Sequence, residues 1–307
     1  MTKLLSDRQK KRSIKEFLYV LPFLALVGVF SYYPLYGWVY SFFDYRPPLP
    51  LSLDSFVGFK WFKYLIDSPA KRTEILNVLR NTFAMSGLTV GTSWLPLLFA
   101  VFLNEIKNMP FRRIVQTVTT LPNFISWVLV YAIAYAMLNS TGLFNSILQN
   151  FGLTDTPILF LQSRKNVWFT QWLWLSWKNL GWSAIMYIAA ISGIDAQMYE
   201  AAKVDGASRW QVITRITIPS LLPTYFVLLL LAISNFLSNG MEQYFVFQNG
   251  FNRDYIQVLD LYVFNLAMKS NVYSVSTALS MLKSVISIAL LFCANGLSKV
   301  LRGESIV

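Results

Sequence analysis

Apolar residues in this chain run in long blocks, without the two-residue alternation of a half-buried strand. A helix needs roughly 20 predominantly apolar residues to cross a bilayer core. Six blocks supply them: 17–43, 82–103, 114–138, 167–194, 218–241 and 275–298. Only the fourth and sixth contain a charge, Lys178 and Lys283. Pro22, Pro34, Pro96, Pro122 and Pro223 fall inside the blocks. In water they would end a helix, but in a membrane bundle neighbours satisfy the freed carbonyls, so they mark kinks. The pattern predicts an all-α polytopic membrane protein with six transmembrane helices in a single domain, 1–307. A cleaved signal peptide would carry an apolar run of about 7–15 residues and a small-residue cleavage site. The first block is longer and leads into aromatics and prolines, so it reads as a retained span. The shorter apolar stretch 255–268 reads as a surface-lying helix or a re-entrant piece.

Basic residues orient the spans, because Lys and Arg concentrate near cytoplasmic span ends. The tail 1–16 holds Lys3, Arg8, Lys10, Lys11, Arg12 and Lys15, which places the amino terminus in the cytoplasm. An even number of spans returns the carboxyl terminus, with Lys299 and Arg302, to the same side. The turn at 104–113 (Lys107, Arg112, Arg113) and the segment between the fourth and fifth spans then face inward as well. One outer loop, 44–80, runs against the bias with Arg46, Lys60, Lys63, Lys71, Arg72 and Arg80. Lys283 lies nearer the outer end of its span, where it can snorkel to headgroups.

Composition narrows the chemistry. Residues are 55% hydrophobic and 13% charged, against about 25% charged in a soluble domain. The net charge of +11 gathers at span ends rather than in one stripe, which argues against nucleic acid. Histidine is absent and Cys293 is the one cysteine. Histidine triads, disulfides and Cys/His metal sites are therefore excluded. No Gly-rich phosphate loop ending in Lys-Ser/Thr occurs, so ATP would have to be bound by another subunit.

Between the fourth and fifth spans lies "YEAAKVDGASRWQVITRITIP", a polar, helix-prone stretch. "AQMYEAAKV" favours helix; Asp205-Gly206 ends it, glycine suiting a left-handed cap. Ser208 followed by Gln211 has the spacing of a capping box, so a second helix starts near Arg209 and runs toward Pro219. The expected product, over 196–217, is a helix–turn–helix held across the spans and exposing Glu200, Arg209 and Arg215.

Glu200-Ala201-Ala202, Asp205-Gly206-Ala207, Ile216 and Ile218-Pro219 stand at the spacing of the EAA motif. In this the chain resembles the integral-membrane subunits of binding-protein-dependent ABC importers; Ile218 occupies a position where Leu is usual. "VGFKWFKYLI" before Asn81-Thr82, "LPNFISW", and Gly142-Leu143-Phe144-Asn145 are similar to sugar-type permeases. "VLDLYVFNLAMKSNVYSVSTALSMLKSVI" resembles the branch that imports oligosaccharides and polysaccharide fragments in Gram-positive bacteria.

The resemblance implies the type I ABC importer permease fold in a bacterial plasma membrane, and a transport subunit with no catalytic residues of its own. It implies a second, homologous permease as heterodimer partner, two cytoplasmic ATPase subunits that bind ATP and Mg, and an extracellular solute-binding protein. Glu200, Ala201, Ala202, Asp205, Gly206, Ala207, Ile216 and Pro219 would form the coupling element seated on an ATPase. The family's sugar contacts lie in the fourth and fifth spans, where this chain has Trp177, Lys178, Asn179, Trp182, Asn235, Phe236 and Asn239. Membrane asparagines also serve simply to bond neighbouring helices, and a mid-span lysine can pair with a carbonyl or a partner's carboxylate. Import of a non-sugar solute is the alternative. A membrane-embedded enzyme fits less well, since no carboxylate lies inside a span.

Overall fold

The computed structural model describes residues 7–302; residues 1–6, with Lys3 of the expected tail, and 303–307 lie outside the described residues. The helices are α1 (Asp7–Val27), α2 (Lys60–Asp67), α3 (Pro69–Gly91), α4 (Leu95–Asn104) and α5 (Met109–Thr120). They continue with α6 (Trp127–Leu138), α7 (Leu143–Asn150), α8 (Val167–Ser192), α9 (Ala196–Val204) and α10 (Arg209–Val212). The last are α11 (Ile218–Ser234), α12 (Glu242–Phe247), α13 (Arg253–Ile256), α14 (Leu259–Met268) and α15 (Tyr273–Arg302). Among the described residues the one extended pairing is an isolated bridge between Phe43 and Phe56.

Among the described residues, five stretches are long and apolar enough to cross a membrane: Lys15–Phe42, Pro69–Asn104, Trp127–Asn150, Arg209–Ser234 and Tyr273–Gly296. The fourth expected span is α8, 26 residues long but less apolar, with Gln171, Lys178 and Asn179 among its tryptophans. Several spans depart from single straight helices. The first passes from α1 into a π turn (Gly28–Tyr32) and a 3-10 stretch (Tyr33–Phe42). The second begins earlier than expected, at Pro69, and breaks between α3 and α4, ahead of Pro96. The third is divided: α5 ends at Thr120, Leu121–Phe124 forms a 3-10 turn, and α6 restarts behind a Ser126 cap. The fifth is helical only to Ser234, leaving 235–241 irregular. Each departure frees backbone groups that lipid cannot satisfy, so side chains must.

The chain forms two compact units. One comprises the chain up to Ser68 with Leu266–Met281. Within it, the Tyr45 amide donates to Ser274 Oγ (3.1 Å) and the Tyr45 and Tyr273 rings meet edge-on. The other comprises Pro69–Asn265 and the chain from Leu282 onward. Among the described residues its core includes two clusters. Met85, Val130, Tyr244, Phe247, Val258 and Leu261 form one; Leu97, Val101, Ala184, Tyr187, Ile213 and Leu221 form the other.

Within this second unit Asn81 donates to the carbonyls of Asp254 (2.9 Å) and Gln257 (3.1 Å), while Thr82 Oγ1 accepts from the Leu259 amide. Asn81-Thr82 thus fastens the chain around α13 to α3. The stretch 255–268 is not a surface-lying helix: Val258 and Leu261 are fully buried. Lys283 does not snorkel either. It pairs with Asp260 of α14, whose other oxygen accepts from the Gly240 amide (2.8 Å).

Gly181 allows the closest helix approach. A Cβ there would overlap the Thr119 carbonyl and the Thr120 amide of the α5 end. Gly181→Ala should lower stability by about 2–3 kcal/mol, since backbone cannot yield as a side chain can. Gly87→Ala faces open space and should leave the melting temperature unchanged or raised. Thermal unfolding of the detergent-purified protein would separate the two.

Candidate functional site: a rigid elbow and a row of cavities

The elbow is α9, α10 and the turn between them. Asp195 caps α9, its Oδ1 accepting from the Gln197 amide at 2.9 Å. At the far end the Ala207 amide donates to the Ala202 carbonyl (2.9 Å) and the Gly206 amide to Lys203 (3.2 Å). This is a complete Schellman closure, and it requires the left-handed Gly206, φ +70. The Ser208–Gln211 capping box is formed: the Ser208 amide donates to Gln211 Oε1 (2.7 Å) and the Gln211 amide to Ser208 Oγ (3.4 Å). The second helix does not stop at Pro219. It runs through a π turn (Ile213–Thr217) directly into α11, because the buried Ile213 and Thr217 anchor that turn. Tyr199 Oη lies 3.2 Å from Thr217 Oγ1 and ties α9 to it.

Glu200, Ala201, Asp205 and Pro219 are exposed, and Ala202, Ala207 and Ile216 half-buried. Beside them stand Met198, Val204 and Trp210, with Val204 87% exposed. The elbow therefore presents a mixed apolar and charged surface on a backbone with its turns fully bonded.

Further along the second unit, three cavities follow one another along α8. The first, about 230 Å³, is lined by Asn235, Phe236 and Asn239 together with Ser86, Thr89 and Tyr244. The second, about 130 Å³, shares Thr89 and Leu175 with it and adds Asn179. The third, about 330 Å³, shares Pro96 and Ser183 with the second and reaches Trp182 and Tyr187. From Leu175 to Tyr187 the row covers about 18 Å at the helical rise.

Among the residues that line the first cavity, two carry buried polar atoms without partners among the described residues. Asn239 Nδ2 donates to Ser86 Oγ (2.8 Å), and Ser86 Oγ donates to the Phe236 carbonyl. Asn239 Oδ1 and the hydroxyl of Tyr244, itself 1% exposed, have no hydrogen-bond partner among the described residues. On α12, beyond the end of the fifth span, burial first and the Asp260 charge second push the Tyr244 hydroxyl above the ordinary tyrosine range. It remains a donor.

The structure brings Asn235, Phe236 and Asn239 into one cavity, Asn179 into the next and Trp182 into the third. Trp177 instead meets Trp174 edge-on at 5.8 Å. Lys178 turns to the break in the third span: its Nζ donates to the carbonyls of Pro122 (3.1 Å), Asn123 (2.6 Å) and Ile125 (2.6 Å). Asn123 Nδ2 in turn donates to Asn179 Oδ1 (3.1 Å), linking the break to the middle cavity. Ser86, Thr89 and Tyr244 complete the first cavity; Ser86 and Thr89 were not among the sequence candidates. A signal for two of them existed, since Thr82, Ser86, Thr89 and Ser93 recur at i, i+4, i+7 and i+11, one face of a helix.

A model of the binding-protein-dependent transport system inner membrane component matches residues 92–302. The chain is 34% identical over 293 residues to protein LplB of Bacillus subtilis, covering 94% of this chain and 90% of the relative. It is also 34% identical over 294 residues to the polygalacturonan/rhamnogalacturonan transport system permease protein YteP of the same organism, covering 94% and 89%. A solved bacterial alginate ABC transporter, in complex with an alginate pentasaccharide-bound periplasmic protein, contains a chain that superposes with a TM-score of 0.85. The two are 29% identical, with 97% of this chain and 99% of that one covered.

The Lys178 cap yields a stability test. Lys178→Met leaves three carbonyls without their donor and should destabilise by about 3 kcal/mol or more. Lys178→Arg keeps donors at the break and should retain more of the thermal stability. Equal melting temperatures for wild type and Lys178→Met would remove the cap from the account.

Proposed function

The chain belongs to the family of binding-protein-dependent transport system inner membrane components, a multi-pass permease subunit of an ABC importer, and from that premise we propose that its cargo is an oligosaccharide carried by alternating access. The observation that carries this reading is the row of cavities along α8, whose first member is lined by polar and aromatic residues, two of them with unpartnered polar atoms among the described residues. A sugar needs apolar ring faces and a few fixed polar groups, and Phe236, Tyr244, Asn235 and Asn239 offer both. YteP, with its polygalacturonan/rhamnogalacturonan, and the alginate transporter, with its pentasaccharide, support the choice of an oligosaccharide.

The elbow is the coupling element of this reading. A partner can bias a two-state equilibrium only through contacts that differ between the states, and a fully capped elbow continuous with α11 would pass such a difference into the spans. Its exposed Met198, Val204 and Trp210 around Glu200 suit a groove on a cytoplasmic ATPase. Two such subunits would hold the ATP and Mg, and both termini of this chain would lie on their side. A second, homologous permease would complete the pore, and an extracellular binding protein would deliver the sugar. The Bacillus subtilis relatives favour the plasma membrane of a Gram-positive bacterium.

Glu200→Ala and Gly206→Pro should leave membrane insertion intact while cutting transport-coupled ATP hydrolysis at least tenfold. Proline cannot adopt φ +70. Normal coupled hydrolysis in both reconstituted variants would end the coupling role. For the cargo, uptake of labelled oligosaccharides and amino acids is compared. Preference for amino acids would replace the sugar by another solute in the same importer class. Tyr244→Phe, which removes a hydroxyl that bonds nothing, should keep the fold and raise KM for uptake about tenfold, the value of one hydrogen bond to cargo.

A further inference from the structure

Two adjoining clefts at the N-terminal end of α8 take no part in that route. One is an apolar cavity of about 590 Å³ between α6, α7 and α8, lined by Leu138, Phe144, Phe160, Phe169 and Leu173 among others. It follows α8 inward from Asn166 to Trp174, about 12 Å at the helical rise. The other is a cationic cleft of about 150 Å³, lined by Arg164, Lys165, Trp168 and Tyr255. Ser163 and Asn166 line the apolar cavity, and the two residues between them line the cationic one, so a single turn of chain separates the compartments.

The charges in that turn are not neutralised. Arg164 Nε donates to the Phe251 carbonyl (2.9 Å), and Lys165 makes no hydrogen bond or ion pair among the described residues. Neither meets a carboxylate among the described residues. A third cation, Arg80, lies over the Trp168 and Tyr255 rings at 5.8 and 4.9 Å.

We propose that the two compartments together hold one anionic phospholipid, its phosphate at Arg164 and Lys165 and an acyl chain in the apolar cavity. Positive charge in one compartment and hydrocarbon in the next match an amphiphile. An acidic sugar or a carboxylate from a docked protein would match the first and leave the second empty. The order along α8 is also that of a lipid. Headgroup contacts lie at the helix end, where Trp168 and Tyr255 have the amphipathic rings of an interface, and the cavity runs toward the helix middle. The other end of α8 leads into the elbow, so the lipid belongs to the leaflet opposite it. This does not depend on the cargo.

The test is native mass spectrometry of the purified transporter complex, titrated with phosphatidylglycerol or phosphatidylcholine of equal chain length. Wild type should retain phosphatidylglycerol roughly tenfold more tightly. Lys165→Gln, a substitution at a side chain without bonds, should reduce that preference, and Arg164→Gln with Lys165→Gln should bring it within about twofold. Leu173→Trp, which fills the cavity, should weaken both lipids alike. No preference in wild type, or a preference that survives the double substitution, would overturn the proposal. So would displacement of the lipid by glycerophosphoglycerol without acyl chains, which would mark a bare anion site. Displacement by an oligouronide would overturn it in favour of an outer sugar subsite.

Discussion

In hydrocarbon a broken helix must be repaired from within the protein, and one ammonium does this at the centre of the structure. Lys178 donates to three carbonyls that the interruption at 121–126 sets free. Without such a donor each buried carbonyl would cost about 1–3 kcal/mol, and the third span would have to be a continuous rod. The same solution recurs elsewhere with neutral side chains and one ion pair. Ser86 serves the Phe236 carbonyl, Asn81 serves Asp254 and Gln257, and the Asp260 carboxylate, itself held by Lys283, takes the Gly240 amide. The irregular backbone after α11 lines the first of the cavities along α8. Polar side chains in the spans are therefore first a condition of the fold, and only some of them are free for anything else.

The elbow meets the opposite requirement. As the proposed coupling element it must be stiff while its surface stays free, and its caps and turns are closed by local chemistry. Asp195, the Gly206 closure and the Ser208–Gln211 box satisfy its turns without drawing on the side chains of Glu200, Val204 and Trp210. Because the second helix continues through the π turn into α11, a push on α9 or α10 acts on the fifth span directly. The irregular segment carrying Asn235, Phe236 and Asn239 begins where that span's helix ends. One element thus connects the proposed docking surface to the proposed cargo site.

What the sequence made legible follows from the range of the interactions involved. Length and apolarity act locally, and among the described residues five stretches long and apolar enough to cross a membrane overlap the expected blocks, while the fourth block is the less apolar α8. Capping is local too, which is why Gly206 and the Ser208–Gln211 pair were readable before any coordinates. The breaks were less legible. Pro122 suggested a kink, yet what stabilises it is a lysine more than fifty residues later, 3.1 Å from that proline's carbonyl. Lys178 therefore read equally as a pathway charge or as one paired with a carbonyl or carboxylate, and Lys283 as a snorkelling one, with their partners on other helices out of reach of the sequence. Ser86 and Thr89 were missed for a related reason: in an apolar block, small hydroxyl residues pass as helix filler, and only their shared face with Thr82 and Ser93 sets them apart. The burial of 255–268 was hidden because a short apolar run cannot say whether lipid or protein covers it.

The number of unpartnered atoms bears on how a transport site should work. Around the first cavity, Asn239 Oδ1 and the Tyr244 hydroxyl lack partners, while Ser86 and the Asn239 amide are already engaged with each other. If cargo supplies the two missing bonds, the gain is on the order of 1–3 kcal/mol apiece, enough to orient a sugar but not to trap it. A site with every polar atom free would bind more tightly and release more slowly, which opposes turnover. A site with none free would not distinguish a sugar from lipid. The internal bonding of Ser86 and Asn239 therefore does two things at once: it closes the backbone left open where the fifth helix ends, and it limits how strongly the cavity can hold what enters it.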